Sequence, residues 1–247
     1  MKLHSVNAHI PQTEVSFFDH LLIIDRIDVI VRSKMPQSIR RSLSLAGIAL
    51  GLIHGGALYV PAQTPPPQNR TLAVIVVLDK SGSTSGALMN SAKEGTKIAL
   101  EQMRGKDFFG VMTFDYNFQW VVQLSEIQNK EPMREAIDRI SASGNTNMYR
   151  ALRAAYDELK TAKSDFKHII LLSDGITPAE DFTALVSEMR KDSITVSTVA
   201  TGVVSNRDLM AEIAAGAGGR TYQVTNVQAI PEVLRNETAQ MIWKALQ

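Results

Sequence analysis

Leu72-Ala73-Val74-Ile75-Val76-Val77-Leu78, followed at once by Asp79-Lys80-Ser81-Gly82-Ser83, is the segment from which the rest of the chain can be read. Seven successive apolar residues with no polar alternation describe a strand buried on both faces, as in a parallel sheet covered by helices. The sequence beyond it alternates in the same sense. Helical spacing over Leu88–Arg104 leads to strands at Phe108–Phe114 and Phe118–Leu124, joined by the turn Asp115-Tyr116-Asn117. Helices follow at Glu131–Ile140 and Met148–Lys163, then a strand at Ile169–Leu172 and a helix at Asp181–Lys191. Ile194–Ala200, Asp208–Ala215, Thr221–Thr225 and Pro231–Leu246 continue as strand, helix, strand and helix. Crossovers of ten or more helical residues join parallel neighbours in a right-handed sense. The expected fold is therefore an α/β, doubly wound, mostly parallel sheet with helices on both faces and one antiparallel edge strand.

Upstream the character changes. Residues 42–60, SLSLAGIALGLIHGGALYV, carry no formal charge, follow Arg40-Arg41 and run into a segment containing Pro65-Pro66-Pro67. A basic flank, an apolar run and a small-residue exit describe a signal peptide or membrane anchor, with Met35 as an alternative start. The competing reading is an element of a globular core, because the run sits at the lower length limit for a span. The expected organisation is an N-terminal extension over 1–60, a Pro-rich linker over 61–70 and a folded domain over 71–247. It places the protein in the cell envelope, or in the cytoplasm if 42–60 belongs to a core.

Composition narrows the chemistry. The 247 residues are 45% hydrophobic and 21% charged, with 26 Lys and Arg against 25 Asp and Glu. Scattered charge of that balance gives no stripe for nucleic acid. The absence of cysteine removes disulfides, thiolate nucleophiles and Cys-ligated metals. Of five histidines only His168 lies beyond residue 62. In an open α/β sheet ligands bind at the carboxyl ends of the strands, and three polar segments fall there: Asp79 with Ser81 and Ser83, Thr146 in Gly144-Asn145-Thr146-Asn147, and Asp174 in Ser173-Asp174-Gly175. Two carboxylates and three hydroxyls form an all-oxygen set suited to Mg2+, which takes oxygen ligands at about 2.0–2.1 Å and keeps several waters. With only two negative charges around a 2+ ion, an external carboxylate can replace a water.

At these positions the chain resembles the von Willebrand factor type A domain, whose metal-ion-dependent adhesion site has the pattern Asp-x-Ser-x-Ser, then a Thr, then an Asp. The pattern is matched by Asp79, Ser81, Ser83, Thr146 and Asp174, and the resemblance covers about residues 71–240. It implies that Ser81, Ser83 and Thr146 coordinate the ion directly or through water. Asp79 and Asp174 would mainly accept hydrogen bonds from its waters, and the final helix, Pro231–Leu246, would move when ligand binds. The stretches TPAEDF (177–182), 194–200 and GGRTY (218–222) look most like bacterial envelope proteins that join this domain to a glutamine-amidotransferase-like region, which residues 1–60 do not resemble. Thr84 stands where many relatives carry Met.

Each piece has a plainer reading. Ser81, Ser83 and Thr146 could cap helices, and Asp174-Gly175 could be an ordinary turn. Asp115 reads as a turn residue, Asp181 as a helix-start charge and His168 as a structural strand-edge residue. Gly82-Ser83-Thr84-Ser85-Gly86 mimics a hydrolase elbow. Its base would have to be His168, six residues before Asp174 and so about 20 Å from the strand's carboxyl end. The expectation is a non-enzymatic domain that binds Mg2+, with Mn2+ or Ca2+ as alternatives, and captures a partner protein's Asp or Glu. A metal-independent structural module is the alternative, and a hydrolase is less favoured.

Overall fold

A computed structural model of the chain describes residues 70–202 and 205–247. The signal or anchor segment at 42–60 and all but the last residue of the linker lie outside the described residues. Among the described residues six strands and six α-helices follow in order: β1 (Leu72–Asp79), α1 (Ala87–Gln102), β2 (Phe108–Phe114), β3 (Phe118–Glu126), α2 (Glu131–Asp138), α3 (Met148–Thr161), β4 (Phe166–Ser173), α4 (Phe182–Lys191), β5 (Ile194–Thr201), α5 (Arg207–Ala217), β6 (Thr221–Val224) and α6 (Ile230–Leu246). The sheet order is β3-β2-β1-β4-β5-β6. Only β3 is antiparallel, paired to β2 through the tight 115–117 turn.

β1 is central, and its side chains divide by parity. Leu72, Val74, Val76 and Leu78 join the core under α1, α2 and α6, whereas Ala73, Ile75 and Val77 join the core under α3, α4 and α5. Every residue of β1 is buried, which is why its sequence lacks alternation. Strand order reverses between β1 and β4, opening a crevice at their carboxyl ends. Three helices that start at this edge are capped by side chains: Asn147 Oδ1 accepts from Arg150 N, Asp181 Oδ1 from Ala184 N and Asn206 Oδ1 from Leu209 N. Each such cap contributes about 1 kcal/mol. The cap of α3 is Asn147, so Thr146 does not serve that role.

β4 begins three residues earlier than its apolar run. Lys167 and His168 hide its start in the sequence, yet His168 is 1% exposed on a strand flanked by β1 and β5. It is thus an interior residue rather than a strand-edge one. Its Nδ1 lies 2.7 Å from Thr195 Oγ1, and its Nε2 lies 2.9 Å from Glu237 Oε1 on α6, at ion-pair distance but without hydrogen-bond geometry. Glu237 is fully buried and collects further donors: Ser197 Oγ at 2.7 Å, the Arg220 guanidinium at 2.8 Å on both oxygens, and Tyr222 Oη at 2.6 Å. This cluster bolts α6 to β4, β5 and β6.

Burial alone would raise the Glu237 carboxyl, but His168, Arg220 and Tyr222 outweigh it and hold the group far below its ordinary 4.5. Burial, then Glu237, push the Tyr222 phenol up to about 12 from 10.0. A depressed carboxyl contributes stability that is complete above its unfolded value and lost as pH falls below it. A raised phenol contributes stability that is complete below its unfolded value and lost as pH climbs through the folded one. Urea midpoints are therefore expected to fall below about pH 4.5 and again between pH 10 and about 12. Tyr222→Phe should remove this phenol's share of the alkaline loss, and an alkaline limb identical to wild type would contradict the assignment.

Candidate functional site

The crevice between β1 and β4 brings the three polar segments together. Asp79, the last residue of β1, is 1% exposed; its Oδ1 accepts from Ser81 N at 2.9 Å and its Oδ2 from Ser173 Oγ at 2.7 Å. Ser81 Oγ and Ser83 Oγ stand 3.1 Å apart, and Ser83 Oγ donates to Asp174 Oδ2 at 2.9 Å. Ser81, Ser83, Thr146 and Asp174 line one open cavity of about 530 Å3, with Asp79 buried behind them. All five sequence-predicted residues therefore gather at one end of the sheet. The Ser81 hydroxyl makes no capping bond at the turn Gly82–Thr84, so its oxygen is turned to Ser83 instead.

Backbone bonds hold the loops in register. Gly82 N donates to Gly144 O at 3.2 Å, Ser143 N to Lys80 O at 2.6 Å, and Asn147 N to Asp115 O at 2.6 Å. Two glycines are required by geometry. Gly144 has φ +87°, and a Cβ there would come within 2.9 Å of Asp115 Cβ; Gly175 has φ +76°, and a Cβ would come within 2.7 Å of Asn206 O. Left-handed backbone costs a non-glycine residue about 1–3 kcal/mol. Gly175→Ala is thus expected to lower the thermal midpoint by several degrees. An unchanged midpoint would show that the Asp174 loop relaxes freely.

Electrostatics separate the two acids. Burial pushes the Asp79 carboxyl up, hydrogen bonds from Ser81 and Ser173 partly offset that, and the nearby Asp174 charge adds to the rise. An anionic pair held this way is stabilised by a cation. Lys80 does not supply it, because its Nζ is 2.7 Å from Asp115 Oδ2 and holds that carboxyl below its usual range. Asp115 is thus a turn residue that also fastens the β1 loop, a pairing whose 35-residue separation gives no local sequence signal.

Sequence reasoning also passed over Ser173, which relays Gly175 N at 3.0 Å to Asp79, and Thr177, whose Oγ1 accepts from Met148 N at 3.1 Å. Both are hydroxyls within three positions of Asp174, and only their hydrogen-bond partners distinguish them. Thr84 donates to Ser81 O at 2.7 Å and is buried, so the elbow-like segment presents no threonine nucleophile. Among the described residues no group of three His, Cys, Asp or Glu side chains clusters for a metal. Any cation here must rely on hydroxyls. Oxygen-only donors with two carboxylates fit a small hard divalent ion.

Comparison with known proteins agrees with this architecture. An uncharacterised protein of Synechocystis sp. is 28% identical over 159 residues, 63% of this chain and 38% of that protein. A solved von Willebrand factor type A structure from Catenulispora acidiphila is 26% identical with a TM-score of 0.63, covering 70% of this chain and 43% of that one. A structure of proximal thread matrix protein 1 from the mussel byssus, with a zinc-occupied MIDAS motif, shares the fold at 17% identity and a TM-score of 0.61, covering 70% and 46%. The chain spans only about two-fifths of the length of these first two relatives. The von Willebrand factor type A domain pattern itself matches residues 73–236, and the chain belongs to that family.

Proposed function

We propose that Asp79, Ser81, Ser83, Thr146 and Asp174 hold a divalent cation of the Mg2+ type, with Mn2+ or Ca2+ as alternatives, through which the domain captures a carboxylate of a protein partner. The family is one of protein-interaction and adhesion modules. The observation that carries the reading is the 2.9 Å hydrogen bond from Ser83 Oγ to Asp174 Oδ2, which closes residues 91 positions apart around one cavity. The zinc-occupied MIDAS of the mussel protein supports a divalent ion in this fold.

A bound cation supplies positive charge and open positions for an Asp or Glu oxygen. The chain's own residues do the rest. Asp79, buried and fixed by two donors, orients Ser81 and Ser173, while Asp174 orients Ser83. Two acidic side chains leave a 2+ centre near neutrality, so an incoming carboxylate is not repelled. The role is recognition or scaffolding rather than turnover. The basic flank and uncharged run at 40–60 support export or tethering at the cell envelope.

Thermal unfolding of the full chain with Mg2+ or EDTA tests the site. A midpoint rise with Mg2+ that vanishes in Asp79→Asn is expected. No rise in the wild type, with Mn2+ and Ca2+ also silent, would leave a metal-independent structural module.

A further inference from the structure

We propose that Ile176 and Pro178 select the partner at the cation site, so that the captured Asp or Glu belongs to a protein segment in which an aliphatic residue adjoins it. Ile176 is 52% exposed, yet it is not a stray surface side chain. It lines the same cavity of about 530 Å3 as Ser81, Ser83, Thr146 and Asp174. Its amide donates to Asp174 Oδ1 at 2.9 Å, while Asp174 Oδ2 accepts from Ser83 Oγ. One carboxylate thus fixes a cation-site hydroxyl and the aliphatic residue together. The loop around it is stiff. Asn206 N donates to Asp174 O at 2.8 Å, and Gly175, at φ +76°, packs so closely on Asn206 that a Cβ has no room. An apolar wall held in place before binding loses little freedom when a ligand arrives.

This wall offers contact area and few hydrogen bonds. Ile176 commits its amide to Asp174, Pro178 has no N–H, and the Thr177 hydroxyl accepts from Met148 N at 3.1 Å. Among the described residues none that lines the cavity is Lys or Arg, and Lys80 beside Ser81 is paired with Asp115. A second acid on the partner therefore meets no free cation in the cavity, whereas an aliphatic neighbour gains buried area. Continuity with the cation site supplies the occupant, because the atoms that carry a carboxylate to the ion leave through the cavity that Ile176 and Pro178 line. The proposal rests on the cation reading of the site and adds the chemistry of the residue next to the captured acid.

The test uses the full chain loaded with Mn2+, with the end-capped tripeptides Leu-Glu-Leu, Ser-Glu-Ser and Leu-Gln-Leu as probes. Water-proton relaxation reads both steps, since protein-bound Mn2+ enhances it and a carboxylate that replaces a metal-bound water lowers the enhancement. Leu-Glu-Leu is expected to bind about five- to tenfold more tightly than Ser-Glu-Ser, as follows from burying roughly 40–55 Å2 of apolar surface, with Leu-Gln-Leu silent. Ile176→Ser should bring the two glutamate peptides to the same affinity. Should that change disturb the loop, Ile176→Val keeps a smaller apolar side chain and should give an intermediate preference. Equal affinities in the wild type, both requiring Mn2+, overturn the proposal and leave the cation site standing. A leucine preference unchanged in both variants overturns it too, as does binding of Leu-Gln-Leu. Hexanoate binding more tightly than Leu-Glu-Leu would replace the protein segment by a free aliphatic acid. Bound Mn2+ with every peptide silent overturns carboxylate capture, and no Mn2+ enhancement at all removes the cation site and this proposal with it.

Discussion

Glu237→Ala is expected to lower the thermal midpoint by about 6–20 °C. The carboxylate is fully buried and accepts from Ser197, Arg220 and Tyr222, with His168 Nε2 at 2.9 Å. Removing one partner of a buried charged cluster costs about 3–5 kcal/mol because the others remain desolvated and unpaired. In a domain of this size each kcal/mol moves the midpoint by about 2–4 °C. Arg220 keeps a side chain 42% exposed and can turn to water, whereas His168 and Ser197 cannot, so the larger share of the loss comes from them. Arg235→Ala on the same helix is the control. Its 3.0 Å pair with Glu232 is solvent-exposed, and such pairs contribute about 0–1 kcal/mol. Equal midpoints for Glu237→Ala and Arg235→Ala would mean that α6 is held by apolar packing alone. Family resemblance implies a mobile final helix. A bolt of this kind sets how much binding energy such movement would require.

The second large effect concerns the cation. At a concentration 100-fold above its dissociation constant, a ligand specific for the native state adds about 2.7 kcal/mol, or about 5–11 °C here. Asp79→Asn should abolish that rise while leaving the EDTA midpoint unchanged or higher. The buried carboxylate is destabilised by burial and by Asp174 when no cation balances it, and the amide removes that charge at nearly constant shape. A loss of stability in Mg2+ with none in EDTA distinguishes a cation site from a purely structural aspartate. A structural aspartate would lose stability in both. Scanning calorimetry of the two proteins in the two buffers decides it, and a persistent Mg2+ rise in Asp79→Asn would place the ion elsewhere.

Much of this was legible before any coordinates. The run from Leu72 to Leu78 announced a doubly buried central strand because both helical layers require apolar contact from it. The alternation of periods beyond it set the order of elements, with ends shifted by one to three residues where charged side chains such as Lys167 begin a strand. Asp79, Ser81, Ser83 and Asp174 could be selected because they end or follow a strand in a fold that binds ligands at strand ends, and Thr146 because its loop leads into a helix at the same edge. Tertiary structure alone decided what those residues touch. Side-chain partners separated by 35 to 94 positions, as in Lys80 with Asp115 or Ser173 with Asp79, leave no local pattern, because the spacing between them is set by whole strands and helices. The same holds for His168. Its neighbours in sequence suggest a solvated strand end, and only the packing of α6 against β4 and β5 supplies the buried carboxylate that makes it interior.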